Sequence, residues 1–101
     1  MAFFRVSNPV KTEEVDTGTF SIYVSSRYQT YTRQVSIAEG THLTAGVILA
    51  DINPPANYNI EHFYIDSVVC SGGIATITFR LQTSSTGAST QCRFKLTHVY
   101  I

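Results

Sequence analysis

The stretch Ala75-Thr76-Ile77-Thr78-Phe79-Arg80-Leu81-Gln82 alternates apolar and polar side chains without a break, and Cys92-Arg93-Phe94-Lys95-Leu96 does the same before running on through Thr97-His98-Val99-Tyr100-Ile101. A period of two sends successive side chains to opposite faces, the pattern of a strand with one face buried and one solvated. Between the two lies a polar turn region, Thr83-Ser84-Ser85-Thr86-Gly87-Ala88-Ser89-Thr90. Together these segments predict a long β-hairpin.

Working back towards the start, Thr19-Phe20-Ser21-Ile22-Tyr23-Val24 places Phe20, Ile22 and Val24 on one face and reads as a first strand. A second runs from Tyr28 to Ile37 and stops at Glu39-Gly40. A third, Val47 to Ile52, is so continuously apolar that it predicts a central strand. Asn53-Pro54-Pro55-Ala56-Asn57-Tyr58-Asn59 reads as a loop, because two prolines cannot donate to a ladder and asparagine favours turns. Ile60 to Cys70 is a fourth strand, with His62, Tyr64, Asp66 and Val68 on one face and Phe63, Ile65, Ser67 and Val69 on the other. Ser71-Gly72-Gly73 then turns into the Phe79 strand. The expectation is an all-β, six-stranded antiparallel β-sandwich over residues 18–101.

Residues 1–17 predict an extended N-terminal arm, since Asn8-Pro9 signals a turn and Lys11-Thr12-Glu13-Glu14 is fully hydrophilic. Phe3, Phe4, Val6 and Val10 have no core to fill on such a segment. They are expected to be buried against another subunit or a larger assembly.

One hundred and one residues suit one domain, and seven basic against seven acidic residues, with no run of either sign, provide no field for nucleic acid or an anionic membrane. Charged residues make up only 14% of the chain, against roughly 25% in an average domain. Thr, Ser and Tyr take their place, a surface suited to sugars or other proteins. No apolar run approaches the ~20 residues of a membrane span, and Met1-Ala2-Phe3-Phe4-Arg5 passes at once into polar residues, unlike a signal peptide. Cys70, closing the fourth strand, and Cys92, opening the last, are expected at opposite ends of the sheet, beyond the ~7 Å Cα separation that a disulfide tolerates. Both read as free thiols that behave as small core hydrophobes.

Catalytic and metal chemistry find little support. His62 and Asp66 share a strand face, and His98 would join them only across an intervening strand, about 9 to 10 Å away and too far for a shared tetrahedral ion. Structural histidines are the simpler reading, and His42, beside Thr41 in a turn, suggests no chemistry. There is no G-x-S-x-G elbow, and nothing in the spacing brings two of Asp51, Glu61 and Asp66 to one cleft. No metal, no cofactor and no enzymatic activity are expected.

Tyr23, Tyr28, Tyr31, Tyr58, Tyr64 and Tyr100 could stack on sugars or anchor an interface, or simply be half-buried sandwich residues. Tyr58 stands apart because a loop tip offers its ring no core. A ligand-binding loop surface is therefore expected from Asn57, Tyr58 and Asn59 together with Ser85 and Thr86, since both loops would leave an up-and-down sandwich at the same end. The plainer alternative makes both loops solvated connections and the arm the contact.

From Val15 to Ile101 the order of signals resembles the H-type lectin fold, and equally the small sandwich domains that end many phage tail fibres. The resemblance rests on Val15-Asp16-Thr17-Gly18 opening the first strand, Val35-Ser36-Ile37 ending the second and Val47 to Asp51 as the central strand. It continues through Asn59-Ile60 after the loop, the turn from Ser67 to Ile74, and the closing strand. It implies a sandwich that trimerises about a three-fold axis, with ligands in grooves between subunits. Where the lectins carry an arginine two residues after the asparagine, this chain has Glu61. The aromatic usual in the lectins' last strand is replaced near Leu96, and there is no Trp, so what carries over is the fold and the trimer. The expectation is a non-enzymatic, virion-associated protein of the tail-fibre or decoration type, a homotrimer that binds a host surface glycan or another virion protein, with no nucleic acid and no membrane insertion. A free-standing H-type-like lectin, cytoplasmic or secreted without a classical signal peptide, and a purely structural capsid or tail connector are the alternatives.

Overall fold

The alternation that marks the last two strands is present in the structure, yet the two strands do not pair. The computed structural model describes residues 9–24, 26–84 and 88–101, which form β1 (Lys11–Asp16), β2 (Phe20–Val24), β3 (Gln29–Ser36), β4 (His42–Asn53), β5 (Ile60–Ser71), β6 (Ile74–Thr83) and β7 (Ala88–Tyr100). The architecture is all-β, with two antiparallel sheets. In β6 the buried residues are Ala75, Ile77, Phe79, Leu81 and Thr83, and in β7 they are Thr90, Cys92, Phe94, Leu96 and His98. β6 is the middle of a β3-β6-β5 sheet, whereas β7 is the middle of the other sheet, with β4 along one edge and β1 and β2 along the other. The expected hairpin is therefore a connection that crosses from one sheet to the other. Period-two alternation specifies which side chains must be buried, and two strands facing each other across a core satisfy it as well as two strands side by side.

Residues 11–16, placed in the arm by the sequence reading, are part of the sandwich. β1 and β2 both run antiparallel to β7, with Asp16 opposite Lys95 and Phe20 opposite Cys92. Thr17, Gly18 and Thr19 thus face only Arg93 and Phe94, so the two strands are one edge lane interrupted by a bulge. Gly18 takes φ 68° there. Its N–H donates to Asp16 Oδ1 at 2.8 Å, the Thr17 N–H donates to the Phe94 carbonyl at 3.0 Å, and the Phe94 N–H donates to Thr17 Oγ1 at 3.0 Å. The strand escapes notice in the sequence because Glu13 occupies one of its core-side places; only Val15 packs on the core. Val10 is exposed, and Phe3, Phe4 and Val6 lie outside the described residues.

Two further expectations are corrected by bulges. The third predicted strand is the edge strand β4, whose register shifts between His42 and Thr44 and again between Leu49 and Asp51. The second shift lets both Leu49 and Ile52 pack on the core while Ile48 points to solvent, which produces the apolar run without a second buried face. In β5 a shift between Ile65 and Ser67 turns Val68 inward and Val69 outward, reversing the predicted faces beyond that point.

Aromatic rings fill the space between the sheets. Phe79 and Phe94, from the two middle strands, meet at 4.9 Å between ring centroids, and Phe20, Tyr31 and Phe63 each lie 5.9 to 6.5 Å from Phe79. The Arg33 guanidinium stands 4.4 Å over the Phe20 ring, closing that side with an apolar stem and a cation–π contact.

Phe79→Ala should destabilise the fold by about 3–5 kcal/mol in urea unfolding, because it removes the ring that touches four others and leaves a cavity between the sheets; a loss under about 1 kcal/mol contradicts this packing. The bulge supplies a pH test. The Gly18 N–H and, after it, Arg93 at 2.7 Å hold the Asp16 carboxyl below its ordinary value. A depressed folded value means that stabilisation is present above the unfolded aspartate value and is lost as pH falls through the folded one. Asp16→Asn should therefore be slightly less stable than the parent at pH 7 and indistinguishable from it once Asp16 is protonated in both states, measured as urea midpoints at pH 7 and pH 2; a difference that persists at pH 2 would show the charge to be irrelevant.

Candidate functional site

The loops expected to form one surface do leave the sandwich together. Ser84 and Asn59 exchange two hydrogen bonds, the Ser84 N–H donating to the Asn59 carbonyl and the Asn59 N–H to Ser84 Oγ, both at 2.9 Å. A turn in which the Tyr58 N–H donates to the Pro55 carbonyl at 3.1 Å shapes the rest of the β4–β5 loop, and Asn57 takes the left-handed φ of 70° that asparagine tolerates. Asn57 and Asn59 are exposed, but Tyr58 is half-buried rather than idle at a tip. Ser85 and Thr86 lie outside the described residues.

The outer face of the β3-β6-β5 sheet is the second candidate surface. Register and alternation direct Thr30, Thr32, Gln34 and Ser36 outward from β3, and Ile74, Thr76, Thr78 and Arg80 outward from β6. From β5, Tyr64 and Val69 point the same way, 57% and 60% exposed. Val69 pairs with Thr76, so it is the diagonal neighbour of Ile74, and Ile74 borders a shallow depression shared with Gln34, Val35 and Ser36. Arg80 and Asp66 meet at 3.6 Å on this face and neutralise each other.

At the end of the sandwich opposite the Asn53–Asn59 loop, four strands bring together side chains that the sequence kept apart. His98 of β7 is 1% exposed; its ring stacks on Tyr100 at 4.9 Å and on His42 of β4 at 5.2 Å. His98 Nδ1 is 3.0 Å from Glu13 Oε1 of β1, which also accepts the Ala38 N–H at 2.6 Å. That backbone donor first, and His98 second, hold the Glu13 carboxyl below its ordinary value despite partial burial. Cys70 approaches from β5 in the facing sheet, and its thiol, with one ring nitrogen from each of His42 and His98, makes a set of donor atoms all within 4.8 Å of one another. Burial raises the Cys70 thiol, and pushes that of Cys92, deeper in the core, up to about 11. Both cysteines are free.

The grouping weighed from sequence is dispersed. His62 stacks on Tyr28 at 5.6 Å and Asp66 pairs with Arg80, while His98 lies inside the opposite sheet. His42, read as inert, and Cys70, read as core, are the residues His98 meets instead. The one available signal was the inward parity of His98 in the run Cys92, Phe94, Leu96, which marks a polar ring in a core position.

Backbone packing holds this end closed. Thr41 and Ile101 exchange N–H to carbonyl bonds at 3.0 and 2.9 Å, and a Cβ on Gly40, at φ 144°, would sit 2.6 Å from the Ile101 carbonyl and 3.2 Å from the Tyr100 ring. Comparison with protein-family models, with curated proteins and with solved structures gives no match.

Gly40→Ala should cost on the order of 1–3 kcal/mol, through backbone strain and displacement of the last strand from the His42 stack. Thermal unfolding and the ring-proton shifts of His98 report the two effects; a stability equal to the parent's would show that the contact relaxes freely.

Proposed function

We propose that the chain is a non-enzymatic assembly and recognition module: a virion-associated β-sandwich of the tail-fibre or decoration type, built as a homotrimer, that binds a host surface glycan or a neighbouring structural protein. The observation that carries an assembly role is the outer face of the β3-β6-β5 sheet. Its hydroxyl- and amide-rich strands, internally neutralised ion pair and exposed Tyr64, Val69 and Ile74 form a surface that can be buried with little charge desolvation. The three-fold symmetry and the virion setting come from the resemblance to H-type lectins and tail-fibre sandwiches. The linked Asn59 and Ser84 loops at one end are the recognition surface of this reading, with Asn57 and Asn59 exposed beside Tyr58. The arm residues Phe3, Phe4, Val6 and Val10 supply a further attachment element.

Sedimentation of the purified chain should give a trimer. Val69→Lys, at an exposed position, should leave monomer stability within about 0.5 kcal/mol of the parent yet reduce the mass towards that of a monomer, and deletion of residues 1–10, which spares β1, should weaken assembly or attachment. Tyr58→Ala should reduce binding to host cells or to the partner protein without changing the mass. A parent chain that sediments as a monomer at high concentration overturns the assembly reading; unchanged binding by Tyr58→Ala removes the loops from it.

A further inference from the structure

We infer that His42, Cys70 and His98 form a binding site for one zinc-class divalent cation, which clamps the two sheets together at the end of the sandwich opposite the Asn53–Asn59 loop. The inference starts from the His98 ring. An ionised carboxylate can only accept, so the contact between Glu13 Oε1 and His98 Nδ1 at 3.0 Å places a proton on Nδ1, and in the neutral ring the lone pair is then on Nε2. That Nε2 is buried and has no hydrogen-bond partner among the described residues. A buried ring nitrogen left without a partner is costly, and a bound cation would use its lone pair.

The surroundings supply the other donors. A ring nitrogen of His42 and the Cys70 sulfur lie within 4.8 Å of the His98 donor and of each other, and no carboxylate belongs to this set. Two imidazoles and a thiolate suit zinc and disfavour magnesium and calcium, which demand oxygen. Metal–nitrogen and metal–sulfur bonds of about 2.0–2.3 Å in a tetrahedron separate ligand atoms by about 3.3–3.8 Å. The set must therefore contract slightly, which the exposed His42 ring can do by turning at the sheet edge. Glu13 completes the arrangement from behind, a carboxylate on the far nitrogen of a ligating histidine, itself anchored by the Ala38 N–H. On binding, the Cys70 thiol gives its proton to solvent and the thiolate sulfur takes the cation, while both histidines bind neutral. This inference is independent of the assembly reading, because all three ligands belong to one chain.

The test uses tag-free full-length protein freed of metal by chelation. Cobalt(II) should bind one ion per chain with the visible bands of a tetrahedral site and a thiolate charge-transfer band, zinc should displace it, and zinc should raise the unfolding temperature. Cys70→Ser should abolish the charge-transfer band while Cys92→Ser keeps it, if that core variant folds. His42→Ala, at an exposed position, should weaken binding at least tenfold without unfolding the chain, and Glu13→Gln should weaken it by about tenfold. The inference is overturned if cobalt produces no bands and zinc leaves the unfolding temperature unmoved, the orphan nitrogen then being met by a buried water only. It is equally overturned if His42→Ala binds as the parent does.

Discussion

Phe79 and Phe94 touch across the gap between the sheets, at 4.9 Å and from the middle strand of each. Every other strand is placed relative to one of these two residues. β3 and β5 flank the Phe79 strand and bring Tyr31 and Phe63 to its ring; β2 and β4 flank the Phe94 strand and add Phe20 and Leu49. Around this pair most of the other described inward positions are aliphatic or hydroxyl, and at one end of the sandwich His98, Tyr100 and Glu13 take their place. A small chain that packs five aromatic rings together, Phe20, Phe79 and Phe94 buried and Tyr31 and Phe63 partly so, holds its sheets by dispersion and apolar burial rather than by charge.

Faces were more legible in the sequence than partners. Ala75, Ile77, Phe79 and Leu81 declare one buried face, and Cys92, Phe94 and Leu96 declare another, but nothing local says whether the two faces lie side by side or opposite each other. The loop between them is long enough for either. The bulges hid the rest: the doubled step near Ala50 made an edge strand look central, the one near Asp66 exchanged the places of Val68 and Val69, and the break at Gly18 made half of an edge lane look like an arm. A bulge is one residue of extra count, invisible to a periodicity that restarts on either side of it.

The His42, Cys70 and His98 cluster was illegible for a different reason. Its members come from β4, β5 and β7, with Glu13 from β1, and no two are close enough in sequence to form a spacing motif. They meet because inward parity at one level of each strand coincides across two sheets, which only the register reveals. By contrast, the shared end of the β4–β5 and β6–β7 connections followed from strand direction alone, and the exchange of hydrogen bonds between Asn59 and Ser84 is its structural expression.

The central position of β7 also dictates an order of events in folding. β1, β2 and β4 have no ladder partner within their sheet except β7, and β7 is the last strand in chain order. During synthesis the β3-β6-β5 sheet can close as soon as Thr83 has emerged, since β5 and β6 form a tight hairpin and β3 only has to join it. The other sheet must wait for the remaining residues, with Phe20, Ile22, Val47 and Leu49 in water meanwhile. Pairings between the first strand and the last are the slowest kind to form. Synthesis in this order leaves room for a half-built state with one paired sheet and an uncovered apolar face, the kind of surface that makes a folding chain prone to aggregate.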